Sequence, residues 1–160
     1  MKMYKRNAKK ISYLYGTKRK KKTVKTIYIH GTGNTGDTAK NNVDYFATSN
    51  TREAGAHFFV DRNGTVGRSI PMCYIAYAVG DWNNNVKSVS IELCDIQNKY
   101  PSKKQIKATR KLIKYIRKYC KNAKSIKRHY DSNGKLCPSL MCGNSQKDKL
   151  WKQFLIDLDL

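Results

Sequence analysis

The chain has 160 residues, enough for one domain that buries its own hydrophobic core. Lys and Arg number 33 against 11 Asp and Glu, so the formal net charge is +22. This excess predicts a polyanionic partner such as nucleic acid, an anionic membrane or an anionic cell wall, without choosing among them. No apolar run reaches the length of about 18 residues that a transmembrane helix needs, so the sequence excludes such a helix.

The first part of the chain divides into a basic segment and the start of a folded domain. Residues 1–25 contain eleven Lys or Arg and predict a basic, loosely packed lead-in. We place the folded domain at residues 26–160. Its first run, TIYIH, predicts a buried strand that ends at His30, followed by the polar loop GTGNTGD. A helix is expected after this loop, with Asp37 or Thr38 as its cap.

The remaining elements alternate between strand and helix patterns. AGAHFFVDRNGTVGRSI predicts a hairpin, GDWNNN a loop, and KSVSIELCD a strand with Val89, Ile91 and Leu93 on one face. A long amphipathic helix follows Pro101, SIKRHY predicts a short strand, and residues 146–158 a closing helix. This order predicts an α/β fold with a mixed central sheet flanked by helices in a single domain.

Three residues far apart in sequence have the chemistry of a zinc site. His30 ends a predicted strand, and His129 and Cys137 lie in the segment RHYDSNGKLCPS. Two imidazoles and a thiolate fill three corners of a zinc tetrahedron and leave the fourth open, which is typical of catalytic rather than structural zinc. The pattern therefore predicts a zinc hydrolase. Cys142 is an alternative to Cys137 as the third ligand.

The other cysteines give no sign of a disulfide framework. The chain has five cysteines, an odd number, and none of them forms a CxxC pair. We therefore expect mostly buried free thiols, with one of the five as a metal ligand.

Several ordered motifs resemble the type 2 N-acetylmuramoyl-L-alanine amidases of phage endolysins and bacterial autolysins, which are related to peptidoglycan recognition proteins. They are IHGTGN, AGAHFFVDRNGTVGRSIP, SVSIELCD and HYDSNGKLCPS. The resemblance runs from about Thr26 to Leu140, and its specific part is the spacing of the histidine, lysine and cysteine in the last motif. It implies a zinc enzyme that cleaves the amide between N-acetylmuramic acid and L-alanine in peptidoglycan.

The resemblance also implies roles for individual residues. His30, His129 and Cys137 would hold Zn²⁺, Glu92 would act as general base, and Lys135 would face the oxyanion of the tetrahedral intermediate. The chain departs from other branches of the family at Ala56, where they have a tyrosine that contributes to the site. This departure favours the endolysin branch.

Four further residues are candidates for binding substrate: Asn34, His57, Asp81 and Asn83. A surface loop describes Asp81 and Asn83 equally well. His57 lies in the middle of an apolar strand, where a hydrogen-bonded structural histidine is more common than a binding residue.

The expected partner is the peptidoglycan of a Gram-positive cell wall, with anionic wall polymers attracted to the basic surface. A nucleic-acid-binding role is disfavoured because the chain lacks a helix-turn-helix, zinc-finger spacing or an RNP motif. The alternative from another class is a non-catalytic binder of peptidoglycan or another polyanion with a structural zinc. We expect a monomer that acts at the wall. Because no signal peptide is recognisable, we expect it to stay in the cytoplasm until lysis or a holin-type pore releases it.

Overall fold

A computed structural model describes residues 2–160 of the chain. It contains eight strands: β1 Tyr4–Lys5, β2 Tyr13–Leu14, β3 Thr26–Gly31, β4 Phe58–Val60, β5 Val66–Arg68, β6 Ile75–Ala76, β7 Ser88–Leu93 and β8 Ser125–Arg128. The α-helices are α1 Ala39–Thr48, α2 Trp82–Val86, α3 Lys103–Tyr119, α4 Tyr130–Asn133 and α5 Ser145–Leu158. Short 3-10 turns lie at Lys10–Ser12, Lys21–Thr23 and Ser139–Met141.

The main sheet has six strands in the order β1-β5-β4-β7-β3-β8. Strands β4, β7, β3 and β8 are mutually parallel, β5 runs antiparallel to β4, and β1 is parallel to β5. Strands β2 and β6 form a small antiparallel sheet. The predicted mixed α/β architecture is therefore confirmed, as is the β4–β5 hairpin.

The two faces of the main sheet carry different layers. One face packs against α3 and α5 in the largest core cluster, to which β7 contributes Val89, Ile91 and Leu93 as its alternation predicts. The other face packs against α1 in a smaller cluster that includes Val43 and Phe59. Glu92 lies on this second face, one residue out of phase with the apolar positions of β7.

Helix α3 follows the expected amphipathic pattern. Ser102 caps it by accepting a hydrogen bond from the Gln105 amide, and Leu112, Ile113 and Ile116 are completely buried. Its length of 17 residues is the greatest of the described helices, and none of these is both long and apolar enough to cross a membrane.

The structure contains two short helices that the sequence pattern did not predict. The sequence GDWNNN contains α2, which begins after Asp81 because the Asp81 side chain accepts a hydrogen bond from the Asn84 amide at 2.7 Å. Helix α4 directly follows His129 and is capped at its C-terminus by Gly134, whose φ of +79° lies in the left-handed region that favours glycine.

The expectation of a loosely packed lead-in is wrong for the described part of residues 1–25. Strand β1 forms the edge of the main sheet, and β2 pairs with β6. Ala8 and Tyr13 are buried with Ile70 in a third apolar cluster. The high density of lysines concealed this packing, because the apolar residues among them are few and follow no regular period.

Arg19 fixes this segment to the rest of the domain. Its side chain is buried, and its Nε donates to the Met72 carbonyl at 3.1 Å. Its Nη1 donates to the carbonyl oxygens of Asn85, Val86 and Ser88 at 2.5–3.1 Å. Burial lowers the pKa of Arg19 to about 10, so the guanidinium stays charged at neutral pH. Arg19 is thus the shared donor for carbonyl groups at the end of α2 and the start of β7.

We expect Arg19→Ala to lower the free energy of unfolding by roughly 3 kcal/mol, because it leaves several buried carbonyl groups without a donor. Denaturant unfolding measures this change. The control is Lys20→Ala, which removes an exposed neighbouring cation and should change stability by less than about 0.5 kcal/mol. Equal stability of the two variants would contradict the packed arrangement of this segment.

Candidate metal centre and catalytic cleft

The parallel sheet brings His30 and Glu92 together. Strand β3 pairs with β7 in a register that places His30 directly opposite Glu92. Residues opposite each other on parallel strands point to the same face, so both side chains project from the face that carries α1. Both lie near the carboxyl ends of their strands, where loops form a cleft.

Strand β8 delivers His129 to the same edge. It runs parallel to β3 on the other side, and the His129 amide donates to the Ile29 carbonyl at 3.1 Å. The chain then turns through α4 and returns, and the Tyr130 amide donates to the Cys137 carbonyl at 2.9 Å. This backbone hydrogen bond closes the loop and holds Cys137 beside the two histidines.

The ligand atoms of His30, His129 and Cys137 all lie within 4.8 Å of one another, and all three residues are buried. The Nδ1 atom of His30 is 3.9 Å from the Sγ atom of Cys137. Tetrahedral zinc with ordinary bond lengths separates a nitrogen and a sulfur ligand by about 3.6 Å. The Nε2 atoms of both histidines are buried and lack a hydrogen-bond partner among residues 2–160. The donor set and its spacing therefore fit Zn²⁺.

The protonation states also suit a metal. Burial lowers the pKa of His30 well below its usual value and that of His129 to about 4, so both imidazoles are neutral near pH 7. Burial raises the pKa of Cys137 to about 12, so the residue is a thiol in the metal-free protein. Cation binding would release this proton, because the thiolate is the form that binds metals. Cys142 instead donates to the Pro138 carbonyl at 3.1 Å and is not part of the group.

Glu92 and Lys135 complete the charged part of the cleft. The Oε1 atom of Glu92 is 3.8 Å from His30 Nδ1, and its Oε2 atom has no partner within the described chain. Burial raises the pKa of Glu92 to about 8, and the positive charge of Lys135 partly opposes this rise. Both residues line a cleft of about 770 Å³ together with all three members of the histidine–cysteine group.

A family profile described as N-acetylmuramoyl-L-alanine amidase matches residues 20–140. The chain belongs to this amidase family. Two amidases of Bacillus licheniformis are related in sequence. The amidase CwlL is 29% identical over 139 residues, and a probable N-acetylmuramoyl-L-alanine amidase is 31% identical over 130 residues. These alignments cover 78% and 72% of this chain but only 38% and 36% of the two relatives.

Solved structures show the same amidase fold. PlyL superposes with a TM-score of 0.79 at 23% identity, covering 99% of this chain and 97% of that one. The catalytic domain of XlyA gives 0.77 at 20% identity and covers 99% of both chains. The resemblance found in the sequence and the expected fold are thus confirmed.

Asn34 is the one predicted substrate-binding residue that lines the cleft of this amidase domain. Asp81 and Asn83 do not line it. Asp81 caps α2, and Asn84 in the same helix donates to the Ser132 hydroxyl at 2.9 Å. The structure therefore does not support a substrate-binding role for Asp81 or Asn83.

Helix α1 contributes a wall of the cleft that the sequence pattern did not indicate. Asn41, Asn42, Tyr45 and Phe46 line the cleft, and Arg52 lies beyond the helix. Tyr45 is 40% exposed, so its ring is accessible from the cleft. A spacing of four residues separates Asn41 from Tyr45 and Asn42 from Phe46. Residues four apart lie on one face of a helix, so this spacing could have predicted a shared face.

His57 lies in the core beside the small sheet and does not reach the cleft, which corrects its assignment as a substrate-binding residue. Its Nδ1 atom accepts a hydrogen bond from the Ser90 amide at 3.1 Å, so Nε2 carries the proton and donates to the Tyr74 carbonyl at 3.1 Å. Burial and the adjacent Arg19 guanidinium lower the pKa of His57 to about 3. The neutral histidine is therefore a structural hydrogen-bonding residue.

This buried neutral His57 should make the fold sensitive to acid. The unfolded histidine binds a proton near pH 6.5 and the folded one only near pH 3, so stability falls as pH drops between these values. We expect His57→Gln to reduce the slope of unfolding free energy against pH, between pH 6 and 4, by up to about 1.4 kcal/mol per pH unit. Denaturant titrations in a chelator measure the slope, since His30 and His129 then contribute equally to both proteins. Identical slopes would contradict a neutral buried His57.

Proposed function

We propose that this domain is a zinc-dependent N-acetylmuramoyl-L-alanine amidase that cleaves the bond between the lactyl carbonyl of N-acetylmuramic acid and L-alanine in Gram-positive peptidoglycan. The observation that carries the proposal is the group His30, His129 and Cys137 beside Glu92 in one cleft. Family membership and the two named amidase relatives support the reaction class. The fold, which is also that of solved endolysins, supports action at the cell wall.

Each residue of the site has a defined task in this proposal. His30, His129 and Cys137 hold Zn²⁺, which when bound acidifies water and polarises the amide carbonyl. Glu92 accepts a proton from the attacking water and passes it to the departing amine, so the products are a lactyl carboxylate and a free L-alanine amino group. The Lys135 ammonium stabilises the negative charge that develops on the carbonyl oxygen. Asn34 and the α1 wall contact the substrate beyond the reacting bond.

A non-catalytic binder with structural zinc is the competing function. Binding alone would require neither an open metal position nor a carboxylate without a hydrogen-bond partner beside it. Release of L-alanine amino groups from purified walls separates the two, because a binder retains the walls without generating this product.

The metal assignment predicts different behaviour for the two neighbouring cysteines. Cys137→Ser should weaken zinc binding more than about 100-fold, because a hydroxyl replaces the thiolate ligand. Cys142→Ser should retain one zinc per chain, since Cys142 contacts the Pro138 carbonyl instead. Metal analysis after dialysis against a weak chelator measures both. Loss of zinc from Cys142→Ser with retention in Cys137→Ser would show that the ligand is misassigned.

The two glutamates of the chain provide a matched test of the base. Glu92→Gln should lower kcat at least about 100-fold while zinc content is unchanged, because the amide cannot accept the water proton. Glu53→Gln changes an exposed glutamate outside the cleft and should retain full activity. Turbidity loss of walls and the appearance of L-alanine amino groups measure the rates. A Glu92→Gln variant as active as the Glu53→Gln control would eliminate Glu92 as the base.

A further inference from the structure

A second cleft, of about 620 Å³, lies between the β4–β5 turn and helix α3. Val66 and Ala108 in its lining belong to the core cluster on the α3 face of the main sheet, whereas the catalytic cleft opens on the α1 face. The two clefts are therefore on opposite faces of one domain. We call the second one the lysine groove; it is lined in part by Lys2, Lys104, Lys107 and Lys111, together with Gly64 and Tyr115.

The charge of the lysine groove is not neutralised by the protein. No acidic residue lines it, and Lys104, Lys107 and Lys111 form no ion pair within residues 2–160. The nearby acids have other partners. Asp61 is buried and accepts the Thr65 amide at 2.9 Å, and Asp159 pairs with Arg110 at 3.3 Å. An anion entering the groove would therefore meet several unpaired ammonium groups.

The positive charges of helix α3 repel one another and so destabilise the helix. It has eight Lys or Arg and no Asp or Glu. Lys103, Lys107 and Lys111 follow one another at a spacing of four residues, at which like charges repel and destabilise a helix. A bound polyanion relieves this repulsion, whereas solvent and salt only screen it.

The shape of the groove suits an extended polymer. Lys104 and Lys111 are separated by about 10 Å along the helix axis, so their charges form a row rather than a point. Gly64, at φ +91°, lets the hairpin turn approach α3 closely, since a Cβ there would lie 3.1 Å from the Lys104 carbonyl oxygen. Tyr115 is the sole aromatic residue of the lining. Single-stranded nucleic acid is usually bound through several stacked aromatic side chains, which this groove lacks.

We propose that the lysine groove binds the phosphodiester chain of an anionic cell-wall polymer and so holds the catalytic cleft near its substrate. This inference rests on the proposed function, because a wall amidase meets such a polymer where it works. The row of point charges matches regularly spaced phosphates, and the attraction requires no specific sugar. It also assigns one part of the large net charge of +22 to a defined surface.

The test compares two variants with the same change in charge. The groove variant combines Lys104→Gln, Lys107→Gln and Lys111→Gln, and the control combines Lys124→Gln, Lys149→Gln and Lys152→Gln at exposed sites outside both clefts. The probe is fluorescently labelled, soluble poly(glycerol phosphate), which contains no amide for the enzyme to cleave. Fluorescence anisotropy at several salt concentrations gives Kd. A soluble muramoyl peptide measures hydrolysis separately.

We expect the groove variant to bind the polymer at least about tenfold more weakly at low salt, and its slope of log Kd against log salt to fall by about two. The control should lose less than about twofold. Equal losses in both variants would overturn the proposal, because the charge would then act without a defined site. Tighter binding of a single-stranded DNA of equal charge would also overturn it. Hydrolysis of the muramoyl peptide should be the same in both variants and the unmodified protein, and its absence from all three would instead refute the amidase function.

Discussion

The parallel register of strand β3 with its two neighbours determines whether the site exists. His30 lies opposite Glu92 on β7, and His129 follows the end of β8 with its amide bound to Ile29. A shift of β3 by one residue would move His30 to the face that packs against α3, where Ile29 and Ile91 now lie. The apolar core therefore holds this register, and the free energy that stabilises the core also positions the metal ligands.

The loop that supplies Cys137 is held from both ends. Arg128, the residue before His129, pairs with Asp131 at 2.8 Å and donates to the Met141 carbonyl at 2.9 Å. The Tyr130 amide closes the loop on the Cys137 carbonyl. These contacts order the ligand-bearing segment before any cation arrives, which reduces the entropy lost on metal binding. The same preorganisation explains how two neutral imidazoles and a thiol can lie together in a buried position.

The sequence predicted those parts of the structure that depend on local pattern and on residue chemistry. Strand β7 alternates and helix α3 is amphipathic as predicted, and the structure brings His30, His129 and Cys137 together. It failed where the outcome depends on contacts distant in sequence. The packing of residues 2–25 depends on Arg19 reaching carbonyls more than fifty residues away. The isolation of His57 from the cleft depends on Arg19 and Tyr74, which contact its Nε2 atom. The α1 wall of the cleft was missed because a polar helix face indicates solvent as readily as substrate.

The coordination of the zinc ion is the most direct test of the proposed open catalytic site. X-ray absorption at the zinc edge of the purified protein should give two nitrogen ligands at about 2.0–2.1 Å, one sulfur at about 2.3 Å, and one further oxygen. The same spectrum without the sulfur contribution is expected for Cys137→Ser loaded with excess zinc. A native spectrum with four protein ligands, or with no sulfur, would contradict an open catalytic site built from His30, His129 and Cys137.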